Sequence, residues 1–214
     1  MTRRRVGILI SGRGSNMVAL LRAAAAPDYP AEIALVLANN PDAGGLAAAA
    51  AAGIATAVVD HRAFKRDRAA HERAIADVLD EAGVEIVCLA GYMRLLTPFL
   101  VGRYAGRMLN IHPSLLPALP GLDTHARAIA AGVKLHGCTV HLVTEGMDEG
   151  PILAQAAVPV LPDDDEDALA ARVLVQEHRL YPSALAHFAA GRPGEAPPAT
   201  AALINPLPPR PALS

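Results

Sequence analysis

The sequence predicts an α/β fold in which a mainly parallel, twisted sheet carries helices on both faces. Strand-like and helix-like segments alternate along most of the 214 residues, as they do where helices connect parallel strands. The first and fourth strand-like segments are continuous apolar runs, which is typical of strands buried on both faces. Gly53, Gly83 and Gly132 stand where helices are expected to end.

The elements follow one another along one domain. Strands are expected at residues 6–10, 33–38, 55–59, 84–90, 108–111, 139–143 and 152–160. Helices are expected at residues 16–26, 45–52, 67–82, 123–131 and 165–190; the third carries apolar residues at helical spacing and the last has an acidic first turn. We expect residues 1–191 to form a single domain and residues 192–214 to be a proline-rich tail without an assigned function.

The composition narrows the class of protein. A net charge of −2 argues against a general nucleic-acid binder, which would carry a basic excess. The first apolar run is too short for a signal peptide, and no segment is apolar enough to span a bilayer. Cys88 and Cys138 lie in apolar contexts without metal-ligand spacing. We therefore expect a cytoplasmic protein without membrane, nucleic-acid or metal partners.

In parallel sheets, ligands bind beyond the carboxyl ends of the strands. The segment SGRGSN at residues 11–16 follows the first strand, and its small residues let backbone N–H groups approach an anion at a helix start. It is not the dinucleotide fingerprint, because Met17 stands where the third glycine belongs. A phosphate site and an ordinary tight turn fit the segment equally well.

The segment NIHPSLLP at residues 110–117 is the most informative one. If Ile111 points into the core, strand alternation puts Asn110 and His112 on the same side. An amide beside an imidazole suits oxyanion stabilisation and proton transfer at a carbonyl, although a structural role is equally compatible. In the loop TEGMDEGP at residues 144–151, a carboxylate could orient the imidazole of His112 and favour its protonated form, or be a solvated turn.

The remaining histidines show no metal-ligand spacing. Three of them are expected at the surface, namely His61, His71 and His187. Four others are candidates to line a cleft, namely His125, His136, His141 and His178.

NIHPSLLP, with LAGYMRLL at residues 89–96 before it, resembles the formyltransferases that use 10-formyltetrahydrofolate. The segments ILISGRGSN, HGCTVHLV, MDEGPIL and RVLVQEH resemble the members of that family that act on glycinamide ribonucleotide, in the same order, between residues 6 and 182. The resemblance implies formylation of the ribonucleotide amine, a step of purine synthesis, by a monomer or homodimer without a metal. It implies a formyltransferase fold with a Rossmann-like, phosphate-binding half at residues 1–105 and a catalytic and folate-binding half at residues 106–191.

The resemblance also implies roles for individual residues. The catalytic residues would be Asn110, His112 and Asp148. The substrate-binding residues would be Gly14, Ser15 and Asn16 at the phosphate, Glu177 at the ribose and Pro113 nearby. The folate-binding residues would be Arg68, Met93, Arg94, Leu95, Leu96, Asn110, Thr144, Glu145, Gly146, Met147 and Asp148. Asp123 stands where relatives often carry His, so it receives no role; Thr139 replaces a Ser of some relatives and keeps the hydroxyl.

Three alternatives accompany this interpretation. Methionyl-tRNA formyltransferase has a similar folate site, but an added RNA-contacting domain would be expected. A formyltetrahydrofolate hydrolase would be expected to carry an extra N-terminal regulatory domain, whereas here the first strand begins at once. A binding module that kept the fold and lost the chemistry would not be expected to retain Asn110, His112 and Asp148.

Overall fold

The computed structural model describes residues 2–192, which contain one seven-stranded sheet with the order β3-β2-β1-β4-β5-β6-β7. The strands are β1 (Arg4–Ile10), β2 (Ala31–Ala38), β3 (Thr56–Val58), β4 (Ile86–Leu89), β5 (Met108–His112), β6 (Leu135–Leu142) and β7 (Ile152–Pro159). The helices are α1 (Ser15–Ala24), α2 (Gly45–Ala51), α3 (Arg68–Glu81), α4 (Pro98–Arg103), α5 (Thr124–Ala130) and α6 (Glu166–Ala189), with a 3₁₀ turn at His61–Phe64.

The sheet is mainly parallel, as the sequence predicted. The pairs β1–β2, β2–β3, β1–β4 and β4–β5 are parallel, whereas β5–β6 and β6–β7 are antiparallel. The strand order reverses between β1 and β4: the chain adds β2 and β3 on one side of β1, and then β4 and β5 on the other side. Such a switch point leaves a crevice outside the carboxyl ends of the two strands, where ligands bind in folds of this kind.

Helices cover both faces of the sheet, which confirms the predicted layers. On one face Met17 of α1 and Tyr181 of α6 are fully buried against the strands. On the other face Ile75 and Leu79 of α3 pack with Leu100 of α4. The near-continuous apolar strands are explained by this double coverage, since both sides of β1 and β4 meet helices.

Some local expectations were wrong. Neither the six-residue α4 nor the 3₁₀ turn was predicted, because both are too short to show a periodic pattern. His71 was expected at the surface but is buried, with its Nε2 atom 2.9 Å from the Val59 carbonyl oxygen, and burial lowers its pKa. The division at residue 105 stays a prediction, and the predicted tail from residue 193 onward lies outside the described residues.

Both cysteines are buried, and burial raises the pKa of each thiol to about 12. Among residues 2–192, no helix combines the length and the apolar character needed to cross a bilayer. The same residues contain no group of three or more His, Cys, Asp or Glu side chains placed to hold a metal ion.

Candidate active site

The loop at residues 11–16 joins β1 to α1, as predicted. Gly14 precedes α1 with φ 69°, a left-handed conformation that favours glycine. Gly45, the first residue of α2, packs against this loop: its N–H donates to the Gly12 carbonyl at 3.1 Å, and a Cβ there would lie 2.7 Å from Ile10 Cδ1. Within the described chain no side chain caps α1, so the first N–H groups of the helix are available to a ligand.

A cavity of about 270 Å³ lies at the switch point between β1 and β4. It is lined by residues 11–16 after β1 and by Ala90, Gly91 and Met93 after β4. Arg13 is the one charged residue in this lining. Ser11 and Arg13 belong to the motif recognised in the sequence, but no role was predicted for either residue. An open cavity with helix N–H groups and a guanidinium favours a phosphate over an ordinary tight turn.

An acidic side chain, that of Glu177, lies beside this loop. Glu177 of α6 is only 7% exposed, and Asn16 Nδ2 donates to Glu177 Oε2 at 2.8 Å. Burial raises the pKa of Glu177, while the hydrogen bond from Asn16 acts in the opposite direction. The Oδ1 atom of Asn16 is buried and has no hydrogen-bond partner among the described residues. This corner therefore offers oxygen acceptors to a ligand that carries hydroxyl groups.

Two segments that are far apart in the chain meet at the end of β5, namely β5 itself and the β6–β7 loop. Asn110 and His112 share one side of β5, and Asp148 reaches them from the β6–β7 loop. The Asp148 Oδ2 atom lies 3.4 Å from His112 Nδ1 and accepts the Gly121 N–H at 2.9 Å. Asn110 Nδ2 lies 3.1 Å from Nε2 of His141, and that nitrogen lies 3.7 Å from Asp148 Oδ1. The structure thus brings the predicted amide, imidazole and carboxylate together.

His141 orients the amide. Its Nδ1 lies 2.9 Å from the Leu142 carbonyl oxygen, so the ring proton belongs on Nδ1 and Nε2 can accept from Asn110 Nδ2. Burial lowers the pKa of His141, which agrees with a neutral ring. From the sequence, His141 was only a candidate to line a cleft. The register that pairs Asn110 with His141 could have identified it, but register is a property of the folded sheet.

Both ring nitrogens of His112 face acceptors. Nε2 lies 3.2 Å from the Leu119 carbonyl oxygen, and Nδ1 faces the Asp148 carboxylate. Only a doubly protonated ring can donate to both acceptors. The site can therefore hold an imidazolium beside an amide at the carboxyl end of β5. The pair is suited to stabilise a developing oxyanion, and the Nε2–H can protonate a leaving nitrogen if it releases the Leu119 carbonyl.

A hydroxyl network supports the segment that follows His112. The Thr139 hydroxyl donates to the Ser114 carbonyl at 2.7 Å and accepts the Leu116 N–H at 3.0 Å. The Pro113 carbonyl accepts from the Thr124 hydroxyl at 2.6 Å. Thr139 thus holds the turn after β5 with the same hydroxyl group that Ser would supply.

The predicted folate-binding residues lie on separate segments. Met93 and Leu95, in the loop after β4, are 69% and 60% exposed, and Met147 in the β6–β7 loop is 53% exposed. Arg68 opens α3 and is also exposed. Met93 lines the cavity, whereas Arg68 lies outside its lining. Exposed apolar side chains on two neighbouring loops are suited to contact a flat, partly apolar ligand.

The loop at residues 11–16, here called the phosphate loop for its predicted ligand, lies at the switch point. Together with the amide–imidazole–carboxylate cluster at the end of β5, it is the arrangement expected of an acyl-transfer enzyme of the α/β type. Residues 4–185 match the family described as formyl transferase, and the chain belongs to that family.

Similar proteins include phosphoribosylglycinamide formyltransferases and a longer purine biosynthetic protein. Phosphoribosylglycinamide formyltransferase of Escherichia coli is 46% identical over 185 residues, covering 86% of this chain and 87% of that protein. The trifunctional purine biosynthetic protein adenosine-3 of Drosophila melanogaster is 47% identical over 191 residues, which span 88% of this chain but 14% of that longer protein. The crystal structure of phosphoribosylglycinamide formyltransferase from Brucella melitensis superposes with a TM-score of 0.85 at 63% identity, covering 89% of this chain and 97% of that one. The resemblance and the fold class are confirmed.

Proposed function

We propose that this enzyme transfers the formyl group of 10-formyltetrahydrofolate to the amine of 5-phosphoribosylglycinamide in de novo purine synthesis. The products are formylglycinamide ribonucleotide and tetrahydrofolate. The observation that carries the proposal is the His112–Asp148 pair beside Asn110 on β5, at the edge of the sheet that also carries the phosphate loop. Membership of the formyl transferase family supports the reaction type, and the names of the relatives support the acceptor.

The ribonucleotide extends from the phosphate loop to the cluster at the end of β5. Its phosphate binds the N–H groups of Gly14, Ser15 and Asn16 at the start of α1. β5 lies two strands from β1, which corresponds to about 10 Å at the spacing of neighbouring strands. The ribose lies over this interval, with its hydroxyl groups donating to Glu177, and Pro113 borders the glycinamide arm.

The formyl donor binds on the other side of the cluster. Its ring system covers the exposed apolar side chains of the loop after β4 and of the β6–β7 loop, and thereby removes them from water. The residues proposed to contact it are Arg68, Met93, Arg94, Leu95, Leu96, Asn110, Thr144, Glu145, Gly146, Met147 and Asp148.

The chemistry needs no covalent enzyme intermediate, because the substrate amine is itself a nucleophile. The amine nitrogen attacks the formyl carbon, and the new C–N bond forms as the carbonyl oxygen becomes an oxyanion. The Asn110 amide and the His112 imidazolium stabilise this oxyanion. The bond from carbon to the folate nitrogen then breaks, and this nitrogen takes the Nε2 proton of His112, which turns away from the Leu119 carbonyl. The amine proton leaves to solvent, and His112 takes a proton back from solvent, so the enzyme returns to its starting state. Asp148 holds the ring and stabilises its positive charge.

The test is formyl transfer by the purified chain with each candidate acceptor. We expect tetrahydrofolate and formylglycinamide ribonucleotide to appear in equal amounts, followed by folate absorbance and mass spectrometry. Initiator methionyl-tRNA and water serve as the competing acceptors. Formylation of the tRNA alone, or release of free formate at the same rate without ribonucleotide, would contradict the proposal.

No metal takes part in the reaction, so a chelator should leave the rate unchanged. The enzyme works in the cytoplasm as a monomer or homodimer.

A further inference from the structure

The loop at residues 91–97, here called the donor loop, is fixed at its two ends. At its start the Ser11 N–H donates to the Gly91 carbonyl at 3.2 Å, and the Met93 N–H donates to the Ser11 hydroxyl at 2.8 Å. The phosphate loop therefore holds the first half of the donor loop. Between the two ends Met93 and Leu95 are largely exposed, so their own packing contributes little to holding the loop.

Glu72 holds the other end. This residue lies on α3 and is 2% exposed. Its Oε1 atom accepts the Thr97 N–H at 2.7 Å, and its Oε2 atom accepts the Thr97 hydroxyl in a short hydrogen bond. Both carboxylate oxygens of Glu72 therefore accept hydrogen bonds from the same residue of the donor loop. Among residues 2–192, Glu72 has no cationic partner within ion-pair distance.

Thr97 has an unusual role in this contact. It precedes α4, a position where a threonine hydroxyl commonly accepts an N–H of the first helical turn. In this structure the hydroxyl makes no such bond and donates to Glu72 instead. Hydrogen bonds to an ionised acceptor are roughly twice as strong as neutral ones, so the carboxylate is a better anchor for the loop than the cap would be.

We propose that Glu72 is a positioning residue for the formyl donor. It does not touch the donor; it fixes Thr97 and so holds the donor loop in the conformation in which residues 93–96 bind folate. This inference rests on the proposed function, because the donor loop is proposed to bind 10-formyltetrahydrofolate. The catalytic cluster lies on β5 and on the β6–β7 loop, so loosening the donor loop weakens donor binding without changing the chemical step.

The test separates donor affinity from ribonucleotide affinity and from turnover. In Glu72→Ala we expect the KM for 10-formyltetrahydrofolate to rise about 10-fold to 100-fold, the range that follows from losing hydrogen bonds to a charged group. The KM for the ribonucleotide and kcat at saturation should stay within about threefold, since the phosphate loop and the cluster are untouched. Thr97→Ala should raise the donor KM by less, and Thr97→Ser, which keeps the hydroxyl, should restore it.

Asp80→Asn is the matched control. Asp80 also joins α3 to α4, through an ion pair with Arg103 and a 3.4 Å contact with the Tyr104 hydroxyl, but at the end of α4 away from the donor loop. We expect an unchanged donor KM in this variant. An equal rise of the donor KM in Asp80→Asn and Glu72→Ala would overturn the proposal, because it would indicate general loosening of the two helices.

Direct binding of tetrahydrofolate, measured by calorimetry on the same proteins, keeps the two proposals apart. If wild type binds tetrahydrofolate and Glu72→Ala binds it equally well, the role of Glu72 is refuted while the proposed function stands. If wild type neither binds folate nor formylates the ribonucleotide, the proposed function itself fails. Should Glu72→Ala not fold, Thr97→Ala and Thr97→Ser decide: an unchanged donor KM in both overturns the proposal.

Discussion

Asp148→Asn removes one charge from the cluster and little else. Asp148 has φ 57°, and asparagine tolerates this left-handed conformation better than alanine does. The amide oxygen of asparagine can still accept the Gly121 N–H that Asp148 accepts at 2.9 Å. The backbone of the β6–β7 loop should therefore stay in place, and the change in activity reports the lost negative charge beside His112.

The distance between the Asp148 carboxylate and the His112 ring determines how far kcat should fall in Asp148→Asn. For a carboxylate and an imidazolium 3.4 Å apart, an effective dielectric constant of about 20 gives a Coulomb attraction of roughly 5 kcal/mol. If the whole attraction were lost from the transition state, kcat would fall by roughly 4,000-fold. Both side chains are largely buried, so solvent screens the pair only weakly. Part of the attraction already exists before the reaction, and we expect a fall of about 100-fold to 1,000-fold.

The assay is steady-state formyl transfer at saturating concentrations of both substrates. Glu149→Gln is the control, because it makes the same change of charge at the next residue, which is exposed. Its kcat should stay within about twofold, as is usual for an exposed charge in high dielectric. A kcat for Asp148→Asn equal to that of wild type, in a protein with an unchanged melting temperature, would refute the role given to this carboxylate.

Further predictions concern the imidazole, the phosphate loop and acid stability. His112→Ala should lower kcat by about 100-fold to 1,000-fold with little change in melting temperature, and normal turnover would exclude His112 from the mechanism. Gly14→Ala puts a Cβ 3.0 Å from Met17 Cε at a residue with φ 69°, and the left-handed backbone adds a strain of about 1–2 kcal/mol. The variant should have a higher KM for the ribonucleotide and an unchanged KM for the donor. A higher donor KM with an unchanged ribonucleotide KM would contradict the phosphate site. Burial, and then the charge of His125, lower the pKa of His136 from 6.5 to about 4. Between these two pH values the unfolded chain is protonated at His136 and the folded chain is not, so His136 alone should lower the stability of wild type by roughly 3 kcal/mol as the pH falls from 6.5 to 4. His136→Gln should lose less in urea titrations across this range, and equal losses would show that His136 does not carry the effect.

The sequence predicted the layered α/β architecture because the strongest local signals come from the parts that are buried most completely. The apolar runs of β1 and β4 have helices on both sides, and Gly53, Gly83 and Gly132 end their helices with positive φ. These patterns depend on neighbouring residues, so they can be recognised without knowing the three-dimensional structure.

Strand alternation placed Asn110 and His112 on one side of β5, but Asp148 could be added to them from the sequence only through the family resemblance. Asp148 follows His112 by a long stretch of chain, and the two meet because β6 returns antiparallel to β5 and pairs His141 with Asn110. No local spacing encodes this register. The part of His141 in orienting the amide depends on the same pairing and was missed for the same reason.

The burial of polar residues on helices could not be predicted from the sequence either. His71 and Glu72 stand side by side on α3 and are both buried, yet helical periodicity marks only apolar positions as core. Their partners, the Val59 carbonyl and Thr97, come from loops whose course is set by the rest of the fold. The anchoring of the donor loop was therefore visible only in the structure.

The most direct test of the account is a crystal structure with 5-phosphoribosylglycinamide and a folate analogue that cannot release its one-carbon group. We predict hydrogen bonds from the N–H groups of Gly14, Ser15 and Asn16 to the phosphate. The amine should lie within about 3.5 Å of the carbon that stands in for the formyl carbon, which in turn lies beside Asn110 and His112. A phosphate bound elsewhere, or reacting atoms held away from these two side chains, would contradict the account.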